Sequence, residues 1–186
     1  TSTSYSPLHM GVLEETDEAG YKTLYEYDSK GNLLKIVEAA DTPDQRITEY
    51  EVNAQGQTTR LTRRGRTEQN GTVTPDAVWQ TEYDLLGHVS KTTDPEGKVR
   101  KYEYDRAGNL LSYTDPLNHT THYEVDAAGN LLKTWGELGH TRSFTYDKAG
   151  NLVQALDARS KKTVMAYDAM NRRKELTNPV NGTLAA

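Results

Sequence analysis

A phrase of the form YDxxGN, with some substitutions, recurs along the chain, and its last five copies are spaced 21 residues apart. The positions that hold its aspartate or the equivalent residue are Asp28, Asn53, Asp84, Asp105, Asp126, Asp147 and Asp168. The first two gaps are 25 and 31 residues, so these units carry insertions of 4 and 10 residues. Self-similarity at a fixed period of this size is the signature of a repeat architecture. The chain is therefore constrained to build one small structural unit several times.

Each repeat contains a second turn signal, ten residues after the first. These signals are Asp94-Pro95, Asp115-Pro116, Gly136-Glu137, Asp157-Ala158 and Asn178-Pro179. An Asp that begins a four-residue turn can accept a backbone N–H two residues on, and Gly at the end takes the left-handed conformation. The exceptions at the Gly position are Asn118, Asn171 and Asn181, and Asn is the residue that tolerates positive φ best after Gly. The pattern predicts two tight turns per repeat.

The segments between the turns have the length and composition of β-strands, rich in Tyr, Val, Thr, Phe and Leu. Strand alternation places an aromatic and aliphatic ladder on one face: Tyr25/Tyr27, Tyr50/Val52, Thr81/Tyr83, Tyr102/Tyr104, Tyr123/Val125, Phe144/Tyr146 and Met165/Tyr167. The strand after each GN contributes Leu33, Val89, Leu110, Leu131 and Leu152 at one equivalent position. The opposite face carries a glutamate row: Glu26, Glu51, Glu82, Glu103 and Glu124.

These features predict an all-β fold of tandem antiparallel β-hairpin repeats of about 21 residues that form one continuous sheet. We expect about seven repeats over residues 20–182, with insertions near 38–46 and 61–78. Residues 1–19 form an N-terminal flank or a partial repeat, and residues 183–186 form a C-terminal tail.

Composition narrows the classes of function. The hydrophobic fraction of 34% and mean hydropathy of −0.84 are low for a large core, but 12 Tyr and 2 Trp supply surface to bury that disordered chains lack. A net charge of −5 disfavours nucleic-acid binding, and no apolar run approaches the roughly 18 residues of a membrane helix. Without cysteine there is no disulfide framework, which leaves the redox compartment open. Because the chain begins at Thr1, we expect a processed protein or a fragment.

The phrases YDSKGNLL, YDRAGNLL, VDAAGNLL and YDKAGNLV, with DPEG, DPLN and NPVN between them, resemble the Rhs/YD-repeat family. The resemblance covers the chain from about Gly20 to Gly182. It implies a continuous sheet that curves and spirals into a hollow shell, of which this chain forms a partial shell. In bacterial Rhs proteins and the related toxin-complex components such shells enclose a C-terminal toxin, and in teneurins a similar shell belongs to an adhesion receptor. In the Rhs family an aspartate-containing region cleaves itself, but we interpret DPEG and DPLN as plain turns.

The glutamate row could bind cations or a basic cargo, or it could be a solvated polar face, which we favour. Like charges stacked on a sheet are destabilising unless neighbours compensate. Lys101, on the face of Glu103, and His122, on the face of Glu124, offer partial compensation.

The repeated aspartates could be mistaken for paired catalytic carboxylates, but their recurrence with Gly three residues on favours turn capping. His119 and His122 lack the spacing of a strand metal site, and no cysteine, nucleophile elbow or phosphate-binding loop is present. We therefore predict no enzyme and no catalytic, cofactor-binding or metal-binding residues.

Three other features have a functional and a structural interpretation. The basic run Arg60–Gly71 could contact a partner, or form an exposed hairpin or loop in the insertion, which we favour. The aromatic ladder could bind sugars, or line the core, which we favour. Asn70, Asn118 and Asn181 match glycosylation sequons, which in a bacterial protein would be turns.

The sequence thus predicts a non-catalytic structural fragment of an Rhs-type toxin, part of a β-shell that encapsulates a C-terminal toxin or other cargo. The alternative is a carbohydrate- or cell-surface-binding module. Expected partners are the rest of the shell and an enclosed toxin domain, with secretion-apparatus proteins or glycans as further candidates and no nucleic acid. We expect a protein that is secreted or delivered by a bacterial secretion system, or, in the alternative, one at the cell surface. Unpaired sheet edges also predict edge-to-edge self-association.

Overall fold

The protein is all β in the part of the chain that the structure describes. A computed structural model describes residues 1–8, 11–67, 71–178 and 182–185, and these form seventeen β-strands and no helix. Accordingly, the described residues include no helix long and apolar enough to cross a membrane. The chain divides into two compact units, Thr1–Val99 and Arg100–Ala186.

The first unit is an antiparallel meander in which each strand pairs with the next along the chain. Its strands are β1 Ser2–Tyr5, β2 Val12–Thr16, β3 Lys22–Tyr27, β4 Leu33–Glu38, β5 Arg46–Val52, β6 Thr58–Arg63, β7 Ala77–Tyr83 and β8 Val89–Thr93. The first turn signal of a repeat joins β3 to β4, β5 to β6 and β7 to β8, as the sequence predicts.

The second unit repeats this arrangement. Its strands are β9 Val99–Tyr104, which begins at the boundary residue, β10 Leu110–Thr114, β11 Thr120–Val125, β12 Leu131–Gly136, β13 Thr141–Tyr146, β14 Leu152–Leu156, β15 Lys162–Tyr167, β16 Arg173–Asn178 and β17 Gly182–Ala185. The predicted all-β fold of tandem antiparallel hairpins is confirmed.

A β-bulge occurs at the same place in every YD hairpin. Glu26 pairs with Lys35 and Tyr27 pairs with Leu33, so the register skips Leu34. The other skipped residues are Thr59, Ser90, Leu111, Leu132, Val153 and Lys174. Strict alternation would put Leu33 and Lys35 on one face. The extra residue instead lets Leu33 pair in the tyrosine row while Lys35 pairs in the glutamate row, and it increases the local twist.

The sheet has very little fully buried interior. Among the described residues only Val37, Ala40, Ser6, Thr62 and Ser112 are buried, and no large side chain is completely enclosed. Every member of the aromatic ladder is half-buried, whereas the five members of the glutamate row are exposed. The more apolar face is therefore the ladder face, and most of the fold's support comes from strand pairing and half-buried side chains.

Candidate functional site

The first turn of each repeat is built around its aspartate. In the turn at Asp105, the Asp105 N–H donates to the Asn109 carbonyl at 3.0 Å and the Gly108 N–H donates to the Asp105 carbonyl at 3.1 Å. Asp105 Oδ1 accepts the backbone N–H groups of Ala107 and Asn109, at 2.8 and 2.9 Å. Asp105 Oδ2 accepts the side-chain amide of Asn109 at 2.9 Å. Both carboxylate oxygens are thus engaged in holding the turn.

The residue four positions after the aspartate is the one that sequence reasoning missed. Its side chain reaches back to the turn's first side chain, and the residue type changes while the contact remains. The pairs in the first turns are Asp28–Asn32, Asn53–Gln57, Asp84–His88, Asp105–Asn109, Asp126–Asn130, Asp147–Asn151 and Asp168–Arg172. The sequence signal for this contact is the recurrent N of the GN pair.

These contacts lower the pKa of the turn carboxyls. The side-chain amide of Asn109 is the main cause of the lowered pKa of Asp105, followed by the backbone N–H of the same residue. Asp28, Asp126 and Asp147 have lowered pKa values for the same two reasons, supplied by the Asn of their own turns. A carboxylate kept ionised and engaged on both oxygens acts as a turn cap, which supports the structural interpretation of these residues.

The predicted left-handed positions are found at the turn ends. Asn118 and Asn171 have φ values of 67° and 57°, and Ser160 occupies an equivalent position with φ of 60°. Sequence rules would not have selected Ser for this conformation. Asn181, together with Pro179 of the same turn signal, lies outside the described residues.

Successive first turns contact each other, and we call this series of contacts the turn ladder. Asn151 Nδ2, besides bonding to Asp147, donates to Asn171 Oδ1 at 2.9 Å. In the first unit Gln57 Nε2 donates to the Gly87 carbonyl at 2.8 Å. The side chain that completes one first turn therefore also contacts the first turn of the following repeat. These two hydrogen bonds couple neighbouring repeats.

Tyrosines of the ladder couple repeats through the backbone as well. The Tyr83 hydroxyl donates to the Thr58 carbonyl at 2.8 Å, and the Tyr167 hydroxyl donates to the Leu152 carbonyl at 3.0 Å. Thr58 and Leu152 hold equivalent places, directly after the turn of the preceding repeat. The tyrosine of YD thus combines an apolar ring on the ladder face with a hydrogen bond to the preceding hairpin.

The glutamate row is compensated from the neighbouring strand. Glu26 lies 3.1 Å from Lys35 Nζ and Glu82 lies 2.7 Å from Lys91 Nζ, in each case directly across the hairpin. The remaining members face Arg60 at 3.7 Å from Glu51, Ser112 Oγ at 2.8 Å from Glu103, and Lys133 opposite Glu124. Each partner is nine residues after its glutamate. Where the glutamate is replaced, the partner is no longer a cation: Thr145 faces Gln154 and Ala166 faces Glu175.

The sequence suggested that Lys101 and His122 compensate Glu103 and Glu124 from the same strands. In the structure both residues have other neighbours. Lys101 pairs with Thr114 across the hairpin. The His122 ring stacks on Trp135, with ring centroids 5.3 Å apart. His119 is separate from His122, since its Nδ1 lies 3.2 Å from Asp115 Oδ2 in the second turn. Among the described residues, no group of three His, Asp or Glu side chains could hold a metal ion.

The basic run is largely engaged within the protein. The Arg63 guanidinium lies 5.4 Å from the Trp79 ring centroid. Arg64 contacts Glu49 at 2.6 Å and Asp76 at 2.7 Å. Thr67 and Val73 form an isolated antiparallel bridge, so the insertion folds back on itself as the favoured hairpin-or-loop interpretation predicted. Asn70 lies outside the described residues, whereas the sequon residue Asn118 is in an exposed turn.

Tandem hairpins with capped turns and bulges in constant register define this chain as a β-hairpin repeat protein. The RHS repeat family profile matches residues 5–43, 83–124, 125–162 and 146–183, more than half of the chain. The chain belongs to the RHS-repeat family. Comparison with curated proteins returns no match.

Two solved structures have a fold similar to that of this chain. The chain is similar to the crystal structure of TcdB2-TccC3, with a TM-score of 0.56 and 14% identity, over 91% of this chain and 11% of that one. It is also similar to TcdB2-TccC3-TEV, with a TM-score of 0.50 and 15% identity, over 95% of this chain and 11% of that one. The chain thus spans about a tenth of their length, and the likeness shows the fold alone.

Proposed function

We propose that this chain is a structural segment of the β-shell of an Rhs-type toxin, where it helps to enclose a C-terminal toxin or other cargo. The observation that carries the proposal is that the polar groups of each repeat are used within the repeat or on its neighbour. Asp105 and Asn109 close their own turn, and Asn151 and Tyr167 bond to adjacent hairpins. Because the recurrent side chains hold turns and join neighbouring repeats, the chain is suited to forming a continuous wall.

The face that carries the glutamate row acts, in this proposal, as a solvated polar surface, because a cation on the paired strand faces four of its five glutamates. The partners are the rest of the shell and the enclosed segment, and the whole protein is secreted or delivered by a bacterial secretion system. The domain boundaries at residues 19 and 182, the lack of catalytic, cofactor and metal residues, and edge-to-edge association stay predictions.

Protease protection of the cargo tests the proposal. In the complete polypeptide that carries these repeats, trypsin should leave a segment outside the repeats intact, as followed by mass spectrometry. The double variant Asp105→Ala/Gly108→Val opens one turn and should expose that segment, while Arg106→Ala, in the same turn but outside its hydrogen bonds, should not. Equal digestion of all three proteins would contradict enclosure.

Carbohydrate or cell-surface binding stays the alternative. A glycan array probed with the same polypeptide distinguishes it, since specific hits that persist after the turn is opened would favour surface recognition over a wall.

A further inference from the structure

Two tyrosines of the ladder face lie directly opposite each other in the hairpin of β9 and β10. Tyr102 pairs with Tyr113 in the register of the two strands. Their ring centroids are 5.3 Å apart, and the ring planes are tilted by 42°, a separation typical of aromatic rings in contact. Both residues are half-buried, so each keeps some surface open to solvent. The hairpin thus holds two accessible phenols against each other.

This pairing of two phenols is particular to one repeat. In each YD hairpin, the first residue of the ladder pair faces the residue eleven positions later on the neighbouring strand. The pairs at this position are Tyr25–Ile36, Tyr50–Leu61, Thr81–Thr92, Tyr102–Tyr113, Tyr123–Thr134, Phe144–Ala155 and Met165–Leu176. Aliphatic residues or threonine serve as the partner of tyrosine in the other repeats. Tyr113 therefore adds a chemical group that the packing of the ladder does not require.

A covalent link between these strands would support a fold that has few other means of support. The chain has no cysteine and so no disulfide, and few of the described residues are fully buried. A link across a hairpin lowers the entropy of the opened chain and so favours the paired strands. Directly opposed residues have Cβ atoms about 4.5–5.5 Å apart. Rotation of the two side chains can therefore bring the rings together without moving the backbone.

We propose that Tyr102 and Tyr113 form an oxidative cross-linking site, at which hydrogen peroxide and a haem peroxidase convert the pair to dityrosine and lock the hairpin. Each phenol gives one electron to the peroxidase and loses its hydroxyl proton. The two phenoxyl radicals form a bond between ring carbons next to the hydroxyls, and the hydrogens on those carbons move to the oxygens. The protein loses two hydrogen atoms, and one hydrogen peroxide is reduced to two waters. The inference goes beyond shell formation and does not rest on it, since uncross-linked hairpins can form a wall.

Oxidation of the 186-residue chain with a haem peroxidase and limiting hydrogen peroxide tests the site. Protein that runs as a monomer on a denaturing gel should lose the mass of two hydrogen atoms and gain the fluorescence of dityrosine. After trypsin digestion, the peptide Tyr102–Arg106 should be joined to Ala107–Lys133, and fragmentation should place the bond between Tyr102 and Tyr113. The cross-linked monomer should have a higher thermal midpoint than the untreated chain.

Two matched variants show which tyrosines react. Tyr113→Phe keeps the ring but removes the phenol, so the cross-link within the monomer should be lost. Tyr123→Phe makes the same change in the next repeat, where the partner is Thr134, and should leave the yield unchanged. Mapping the bond in the unaltered protein keeps the test independent of any variant's folding.

The inference is overturned if oxidation joins only different copies of the chain, as the exposed Tyr5 and Tyr21 would do. It is also overturned if the bond maps to another pair of tyrosines, or if Tyr113→Phe and Tyr123→Phe lower the yield equally. An unchanged thermal midpoint in the cross-linked monomer would likewise contradict a locked hairpin.

Discussion

Asn109 Nδ2 donates a hydrogen bond of 2.9 Å to Asp105 Oδ2, and this bond completes a turn in which every oxygen of the aspartate side chain has a donor. The aspartate supplies the acceptors, and the residue four positions later supplies a backbone and a side-chain donor. His88 and Arg172 make the corresponding contact with the aspartate of their own turns, and Gln57 instead accepts a hydrogen bond from Asn53 Nδ2. The requirement is therefore for a side chain that can reach back to the first residue of the turn, rather than for Asn alone.

The two members of this pair should differ in their importance for stability. Asp105→Ala removes the acceptor of three N–H groups, whereas Asn109→Ala removes one donor, so the thermal midpoint should fall further for Asp105→Ala. The loss for Asn109→Ala should be about 0.5 kcal/mol, at the low end for one intramolecular hydrogen bond. Calorimetry of both variants beside Arg106→Ala, which should be near neutral, provides the measurement. An Asn109 variant as unstable as the Asp105 variant would contradict this account.

Acid should destabilise the fold through the same turns. The pKa of Asp105 is lowered mainly by the Asn109 amide, and Asp28, Asp126 and Asp147 share this direction and cause. A carboxyl whose pKa is lower in the folded chain stabilises it above the unfolded-state pKa of about 3.9, and that contribution disappears as the pH falls through the folded value. We therefore expect the free energy of unfolding to fall below about pH 4. Denaturant titrations between pH 7 and pH 2.5 measure it.

An NMR titration links this acid effect to one bond. In Asn109→Ala the pKa of Asp105 should rise toward its ordinary value, while that of Asp147, which has its own Asn151, should not change. A fold that becomes more stable on acidification, or an Asp105 pKa unaffected by the substitution, would oppose the prediction.

The repeat and its turns could be predicted from sequence because Asp, Gly and Asn act locally, within four residues. The bulge at Leu111 could not, since Leu110 and Leu111 are the same residue type and nothing in the pattern says which one the register skips. The pairing of each glutamate of the row with the residue nine positions later, across the hairpin, was not predicted, although this spacing is present in the sequence. The ion pair between Arg64 and Asp76 could not be predicted either, because the two residues meet through an insertion that follows no repeat.

The cross-hairpin pairs predict a charge-reversal pattern. Glu82→Lys and Lys91→Glu should each destabilise the protein, because each puts like charges directly opposite. The side chains are 62% and 36% exposed, so the effect should be only about 0.5 kcal/mol. The double reversal should restore most of it. Thr145→Glu/Gln154→Lys introduces the same pair where the chain lacks it and should be neutral or slightly stabilising in urea denaturation. Additive losses in the double reversal would exclude direct pairing.

Gly56 should tolerate alanine less well than Gly97, although both end a turn with positive φ, of 81° and 78°. Gly97→Ala meets no atom within 4 Å and should cost only the conformational strain of a left-handed residue, about 1–2 kcal/mol. In Gly56→Ala the new Cβ would lie 2.7 Å from Asn32 Oδ1. Asn32 is held by its 2.8 Å bond to Asp28, so moving it should cost about 0.5–1.5 kcal/mol more.

A double-mutant cycle with Asn32→Ala separates these two costs. The clash disappears when Asn32 is shortened, so Gly56→Ala should cost no more in that background than Gly97→Ala does in the unaltered protein. Urea denaturation of the four cycle members and Gly97→Ala measures both quantities. If Gly56→Ala costs the same with and without the Asn32 side chain, the turn ladder does not couple these two repeats, and strain at Gly56 alone explains the loss.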